Sequence, residues 1–177
     1  MVVKLDETME IPSSNGKGKF AKIGVGDTVF RFMDTPVVGY LWWEKNEDGD
    51  DKCHRVKTAN EAPDNVDLKY FWQFPVYIDG EIRIMDITQK TVLNAIQDIT
   101  KSDPGYSDLG KYDIKVTGKG EMMERKYTVV PLPVKAISKD GAEAWKNEKD
   151  SWDPKTVFEN VNTTEVTSDD NDDDDLF

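Results

Sequence analysis

Residues 69–99 read KYFWQFPVYIDGEIRIMDITQKTVLNAIQDI, and this run carries the strongest secondary-structure signals in the chain. Its first ten residues are rich in aromatic and β-branched side chains, which is typical of a β-strand. The Asp79-Gly80 pair is a two-residue hairpin signal, and the alternating isoleucines after it predict a returning strand. A helix should follow over 88–99, because its apolar residues share one face: Val92, Leu93, Ile96 and Ile99.

Strand-like runs continue on both sides of this stretch. Gly24 and Gly26 interrupt the first run and predict bends in a coiled strand. Asp86 lies three residues before Gln89, which predicts a capping box at the start of the helix. In chain order we expect strands over 19–34, 36–45, 52–57, 69–78 and 81–87, the helix over 88–99, strands over 111–120 and 124–133, and a short polar helix over 139–150.

Strands dominate this order, and the single strong helix stands between the early strands and the last pair. Such an order suits a mostly β fold, an OB-type small β-barrel with one helix between strands. A β-sandwich with a helical connection is the alternative. We divide the chain into a flexible N-terminal segment at 1–18, an OB-fold domain at 19–150 and a disordered acidic C-terminal tail at 151–177.

The C-terminal tail ends in DDNDDDDLF, residues 169–177. Its aspartates repel one another and should keep the segment solvated. The two apolar residues at the end give this acidic arm a tip that a small pocket could hold, with a basic rim around the aspartates. A solubilising tail with an accidental end is the plainer interpretation. The predicted partner-binding residues are Asp172, Asp173, Asp174, Asp175, Leu176 and Phe177.

Charge and composition exclude several classes of protein. The formal net charge is −12, and six aspartates in the tail supply half of it, so bulk charge does not favour nucleic-acid coating. No run approaches the roughly 20 apolar residues of a membrane span. The N-terminus lacks the apolar run of a secretory signal, and a single cysteine, Cys53, cannot form a disulfide within the chain. We therefore expect a cytoplasmic protein without membrane contact.

Recognisable catalytic and metal-binding patterns are missing from the sequence. The only histidine, His54, lies beside Cys53, and two adjacent ligands cannot by themselves form a tetrahedral zinc site. The glycine-containing runs at 16–19 and 24–26 lack the spacing and the strand-to-helix setting of a phosphate-binding loop. We predict no catalytic residues, no cofactor and no metal.

Aromatic residues interleaved with bases are the strongest functional pattern. On the strand at 69–78, alternation assigns the even-numbered positions, including Tyr70 and Trp72, to the core, and the odd-numbered ones to a solvent-facing aromatic surface. One of Trp42 and Trp43 should be exposed, because both faces of their strand carry a large aromatic. Nucleobases stack on such rings while Lys and Arg follow the phosphates, which indicates sequence-nonspecific single-strand binding. The predicted DNA-binding residues are Tyr40, Trp43, Lys57, Lys69, Phe71, Gln73, Tyr77, Arg83, Lys115, Arg125 and Lys126.

The order of these elements resembles the single-stranded DNA-binding proteins of tailed bacteriophages over about residues 68–133. The similarity runs from an aromatic-rich strand ending in Pro-Val, through a hairpin and a helix, to a Tyr-Asp-Ile strand, a glycine turn and a last strand with tyrosine, valine and proline. Some relatives hold a structural zinc, for which this chain lacks ligands. The matching residues are Trp72, Phe74, Pro75, Val76, Tyr112, Asp113, Ile114, Gly118, Gly120, Tyr127, Val129 and Pro131.

The resemblance implies an OB fold that binds single-stranded DNA in phage replication, recombination and repair, in the cytoplasm of the host cell. It also implies that the tail recruits phage or host replication proteins, such as a polymerase or a helicase-primase, and competes with DNA. Whether the protein is a homodimer stays open. The alternative function is an acidic protein-interaction module, or DNA mimic, that binds basic proteins instead of nucleic acid.

Overall fold

The computed structural model describes residues 19–159, which form an open mixed β-sheet of eight strands with two helices. The prediction of a mostly β chain is confirmed. The helices are α1 (Lys90–Ser102) and α2 (Lys139–Glu148). The strands are β1 (Phe20–Ala21), β2 (Gly26–Phe32), β3 (Val37–Lys45), β4 (Asp51–Val56), β5 (Lys69–Ile78), β6 (Glu81–Ile87), β7 (Ile114–Lys119) and β8 (Lys126–Pro131).

Strand β5 is the centre of the sheet. The strand order is β1-β6-β5-β2-β7-β8, and β3 joins it by pairing with both β4 and β5. One edge of β5 pairs with β6, while the other pairs with β3 near its start and with β2 near its end. Because the pairings of the described residues leave the sheet open, the closed barrel predicted from the sequence is not confirmed.

The main core contains aromatic rings from the sheet and the apolar face of α1. Phe32 stacks on Phe74 with a distance of 3.9 Å between ring centroids. The helix contributes the residues that its periodicity predicted, with Ile99 at the edge. This core also contains the alternating side chains at the start of the late hairpin. Its fully buried members from these two regions are Val92, Ile96, Tyr112, Ile114 and Val116.

Two local predictions have different outcomes. Asp79 and Gly80 both have positive φ angles, 52° and 79°, as the tight turn between β5 and β6 requires, so the hairpin is confirmed. The prediction of a capping box at the start of α1 is wrong, because the N-cap residue is Gln89 and its side chain makes no capping hydrogen bond. Asp86 belongs to β6, and its carboxylate accepts hydrogen bonds from Arg55 and Gln73 on neighbouring strands. A cross-strand network therefore uses the side chain that the sequence assigned to the helix.

The packed body continues beyond the boundary predicted at residue 150. Residues 151–159 were assigned to the disordered tail, but Pro154–Phe158 form a 3₁₀ turn and Val157 is only 5% exposed. This side chain packs into a second, smaller hydrophobic cluster with Leu41, Cys53 and Phe71. The start of the predicted tail is therefore part of the fold. Residues 1–18 and 160–177, with the predictions that fall on them, lie outside the described residues.

Candidate nucleic-acid interface

Strand pairing gathers five aromatic rings on one side of β3, β4 and β5. Tyr40 lies opposite Tyr70, and Trp42 lies opposite His54. Trp72 lies opposite Val38, two residues from Tyr40 on the same side of β3. Directly opposed residues of antiparallel strands point to the same face. We name this side the strip face, and its rings the aromatic strip: Tyr40, Trp42, His54, Tyr70 and Trp72.

The rings of the aromatic strip contact one another. The centroids of Tyr40 and Tyr70 are 5.5 Å apart, with planes inclined at 59°. The indole Nε1 of Trp72 donates a hydrogen bond to the Tyr70 hydroxyl over 3.1 Å. Trp42 and His54 are stacked at 5.1 Å with planes 10° apart. These contacts restrict the side chains, so little conformational entropy would be lost when a flat ligand stacks on them.

The strip begins at the edge of the main core, against which Tyr70 and Trp72 pack, and most of its rings keep contact with solvent. Tyr40, Tyr70, Trp72 and His54 are each half-buried, whereas Phe74, the next residue on this side of β5, is completely buried. Val38 beside Trp72 is 46% exposed. The strip face therefore combines apolar ring surface with access for a ligand, which is the requirement for stacking of nucleobases.

The opposite side of these strands, the reverse face, is covered. Its central residues are Gly39, Leu41, Phe71 and Gln73. Phe71 is 0% exposed and Gln73 is 6% exposed, so the prediction that both face solvent is wrong. The physical reason is the segment at 151–159, whose apolar side chains pack on this face. Alternation gave the correct partition of side chains between faces, and the assignment of Phe74, Val76 and Ile78 to the core is confirmed. Only near the start of β5 does the even-numbered face keep contact with solvent while the odd-numbered face is covered.

A buried polar network supports the reverse face. The Gln73 amide donates to Asp86 over 2.8 Å, and the Arg55 guanidinium lies 2.9 Å from the other oxygen of the same carboxylate. Burial alone would lower the pKa of Arg55, but the charge of Asp86 holds it above its usual value. Burial also raises the pKa of the nearby Cys53 thiol to about 11, against the opposing charge of Arg55. Arg55 is therefore charged and Cys53 is protonated at neutral pH.

The other predicted aromatic residues lie in different surroundings. Tyr40 belongs to the aromatic strip, where the sequence placed it among the DNA-binding residues. Trp43 is on the reverse face near the end of β3, and it is 41% exposed while Trp42 is buried, which confirms the expectation for this pair. Tyr77 is half-buried, and its ring packs closely on α2 at Gly141. The contact is so close that a Cβ atom added at Gly141 would lie 3.1 Å from the ring.

The predicted cations do not form one continuous basic strip. Arg83 is buried, and its guanidinium lies 2.6 Å from Glu81. Lys115 is on β7, opposite Val29 and Val130. The remaining predicted cations lie at the ends of strands or in loops: Lys57 after β4, Lys69 at the start of β5, Arg125 before β8 and Lys126 at its first position.

Of the five rings in the aromatic strip, the sequence placed only Tyr40 among the DNA-binding residues. It assigned Tyr70 and Trp72 to the core, against which both are packed as partly buried residues. It chose Trp43 over Trp42, and it gave His54 no role in binding. The sequence did contain a signal for exposed rings on β5, because this strand carries five large aromatic side chains, more than one small core is expected to bury. The predicted tail residues, Asp172 to Phe177, lie outside the part of the chain that the structure describes.

Similarity to known proteins gives no information about the function of this chain. The chain matches no family model, no curated protein and no solved structure. Among residues 19–159, no helix is both long enough and apolar enough to cross a membrane. In the same range, no group of three or more His, Cys, Asp or Glu side chains is arranged to hold a metal ion.

Proposed function

We propose that this protein binds single-stranded DNA without sequence preference and is not an enzyme. The observation that supports this proposal is the aromatic strip, in which four half-buried rings and the buried Trp42 restrain one another. Every base has a flat π-face, and stacking of a base on an aromatic side chain contributes about 1–3 kcal/mol whatever the base. A row of such rings suits unpaired strands better than duplexes, because the bases of a duplex already stack on one another.

The fold is consistent with an OB-type barrel that is partly open. The order β6-β5-β2-β7-β8, with α1 between β6 and β7, is the order expected when such a barrel opens beside its third strand. Oligonucleotides bind OB folds on the second and third strands and the adjoining loops. In the proposed correspondence β5 is the second strand, and it carries Tyr70 and Trp72.

Local charge is compatible with phosphate binding despite the acidic composition. Residues 19–159 contain 21 Lys and Arg against 25 Asp and Glu, so most of the excess negative charge lies outside this body. Lys69 precedes Tyr70 directly, and Lys57 follows the register partner of Tyr40. Two cations are therefore next to the central pair of rings in sequence, but alternation places both on the reverse face. Lys69 is opposite Leu41, and the Lys57 ammonium lies over the ring of Phe158. There they can neutralise phosphates of a strand that reaches the reverse face.

A fluorescence titration of the full chain with oligo(dT) tests this proposal. Stacking should quench tryptophan emission, and log affinity should fall with log salt at a slope of about −0.7 per phosphate contacted. The Trp72→Phe variant should lose part of the quenching, while Trp145→Phe, the same change on α2, should keep it. A full chain and a variant without residues 169–177 that both fail to bind in dilute salt would overturn the proposal.

The resemblance to phage single-stranded DNA-binding proteins extends the proposal to replication, recombination and repair. In this extension, the acidic tail recruits replication proteins such as a polymerase or a helicase-primase. It also competes with DNA for cationic surface. This part of the proposal rests on the sequence of residues 169–177. Because their aspartates carry negative charge as a nucleic-acid backbone does, the same tail could compete with DNA and, once displaced, bind a partner protein.

The net charge of −12 favours a second candidate, an acidic interaction module that imitates DNA and binds basic proteins. The oligo(dT) titration separates the two functions, because a mimic does not bind the nucleic acid that it imitates. A mimic would instead bind a basic protein, such as a histone, with an affinity that falls as salt rises.

A further inference from the structure

The segment at 152–158 is the cover of the reverse face. Its Pro154–Phe158 part is a 3₁₀ turn, and Val157 and Phe158 are the side chains of this turn that pack on the second hydrophobic cluster. Trp152 packs at the edge of the same cluster. A few apolar side chains thus separate the centre of the reverse face from solvent.

Phe158 occupies a space that only glycine leaves on β3. A Cβ atom at position 39 would lie 2.6 Å from the Val56 carbonyl oxygen and 2.9 Å from the Phe158 ring. Real Cβ atoms do not approach other atoms so closely, so the absence of a side chain at Gly39 permits the ring to sit there. The backbone at Gly39 therefore provides a surface without a side chain, on which one aromatic ring packs.

The surroundings of this surface at Gly39 have the composition of a base-stacking site. The Phe158 ring lies 6.2 Å from the Phe71 ring, and the Lys57 ammonium is 5.7 Å from the Phe158 centroid. On the same face, the Arg55 guanidinium lies over Phe71 at 5.5 Å. The planes of the Phe158 and Phe71 rings are inclined at 53°, so the contact is tilted and not a parallel stack. An aromatic ring and cations are nevertheless both within reach of the Phe158 position, and these are the side chains that bind nucleobases on single-strand binding proteins.

The cover fits the reverse face imperfectly. A pocket of about 190 Å³, partly open to solvent, remains between the segment and the sheet, and its lining includes Arg55, Trp152 and Cys53. Two buried N–H groups among these residues, Nε of Arg55 and Nε1 of Trp152, have no hydrogen-bond partner within residues 19–159. Unpaired buried donors cost stability. The closed arrangement therefore gives up part of the free energy that full packing would supply.

We propose that the reverse face is a second surface for single-stranded DNA, which residues 152–158 close and which a DNA strand opens by displacing Phe158. This inference rests on the proposed function. It adds to the strip face a covered surface with Phe71 as the stacking ring and with Arg55 and Lys57 as cations. The acidic residues 160–177 follow the segment directly in the sequence.

Alkylation of Cys53 reports the opening. It is the only thiol in the chain, and the segment at 152–158 covers it. The rate of iodoacetamide labelling of the full chain should rise severalfold when oligo(dT) saturates it. Phe158→Ala should raise the rate without DNA and tighten oligo(dT) binding severalfold. Val134→Ala, a truncation of an exposed side chain outside the segment, should do neither.

Trp43 gives a second measurement, because it lies on the reverse face. Trp43→Ala should weaken oligo(dT) binding more in the Phe158→Ala background than in the wild type. If Phe158→Ala does not fold, Phe158→Leu keeps an apolar anchor without the ring and serves for both measurements.

Two failures are distinguishable. If oligo(dT) binds with quenching but leaves Cys53 labelling unchanged or slower, the second surface is overturned and the proposed function stands. If oligo(dT) does not bind at all, the proposed function fails, and the second surface fails with it.

Discussion

The two sides of β3–β5 have similar chemistry and opposite exposure. The strip face carries Tyr40, Tyr70 and Trp72, which keep part of their surface in solvent, while Phe71 on the reverse face is completely buried. Neighbouring residues of one strand thus have different physical roles. The difference arises from a segment that follows them in sequence by about 80 residues, because the turn at Pro154–Phe158 covers only one side.

The comparison teaches that composition locates a surface without deciding which side of a strand is accessible. Aromatic residues occur on both faces, and on the reverse face Arg55 and Lys57 lie beside the rings. On the strip face the rings keep part of their surface in solvent, where the proposed ligand would stack, and on the reverse face the Phe158 ring of the protein itself packs on the sheet. Aromatic surface of one strand is thus open on one side and used for packing on the other.

The largest expected effect distinguishes Phe71 from its neighbour Tyr70. Phe71→Ala should lower the free energy of unfolding by about 3–5 kcal/mol, because it removes a fully buried ring and leaves a cavity. Tyr70→Ala, a truncation of a half-buried ring, should cost clearly less. Urea denaturation followed by circular dichroism measures both. Equal losses of stability would show that the two faces do not differ in burial as described.

The next effect concerns DNA. Tyr40→Ala should weaken oligo(dT) binding by about 1–3 kcal/mol, since one stacking ring is lost from the strip face while the main core is untouched. Fluorescence anisotropy of labelled oligo(dT) measures the affinity, and Val134→Ala serves as the control for removing an exposed apolar side chain. Unchanged binding by Tyr40→Ala with a native circular dichroism spectrum would place the DNA elsewhere.

A pH titration sharpens the description of the reverse face. Because burial raises the pKa of Cys53 to about 11, the unfolded chain loses the thiol proton at a lower pH than the folded protein does. The contribution of this thiol to stability is full below about pH 9 and falls as the pH rises toward 11. Wild type should therefore lose about 1–2 kcal/mol more than Cys53→Ala between these values. If the free energies of unfolding of wild type and Cys53→Ala changed equally with pH, the thiol of Cys53 would be exposed to solvent and not buried.

The smallest effect concerns the tail. Deletion of residues 169–177 should tighten oligo(dT) binding severalfold in dilute salt and hardly at all in concentrated salt, because salt screens the competition between like charges. The gain should be smaller in the Tyr40→Ala background if the tail competes at the strip face. An affinity that is the same with and without these residues at every salt concentration would rule out competition.

The sequence predicted the secondary structure well where local chemistry controls it. The tight turn at Asp79-Gly80 needs residues that tolerate positive φ, and α1 shows the spacing of Val92 and Ile96 that one buried face requires. Predictions failed where a distant partner competes for the same side chain. Asp86 would have capped the helix, but Arg55 and Gln73 are closer to it in the folded sheet.

By itself the sequence determined a mostly β chain, the partition of β5 side chains between two faces and the concentration of aromatic residues on β3 and β5. Alternation and turn preferences are properties of the local backbone, so neighbouring residues are enough to reveal them. Which of the two aromatic faces of β5 stays open became visible only in the folded protein, because it depends on where Val157 and Phe158 pack. A local pattern can reveal one apolar face, as on α1, but when both faces are apolar the choice between them is set by contacts between residues far apart in the chain.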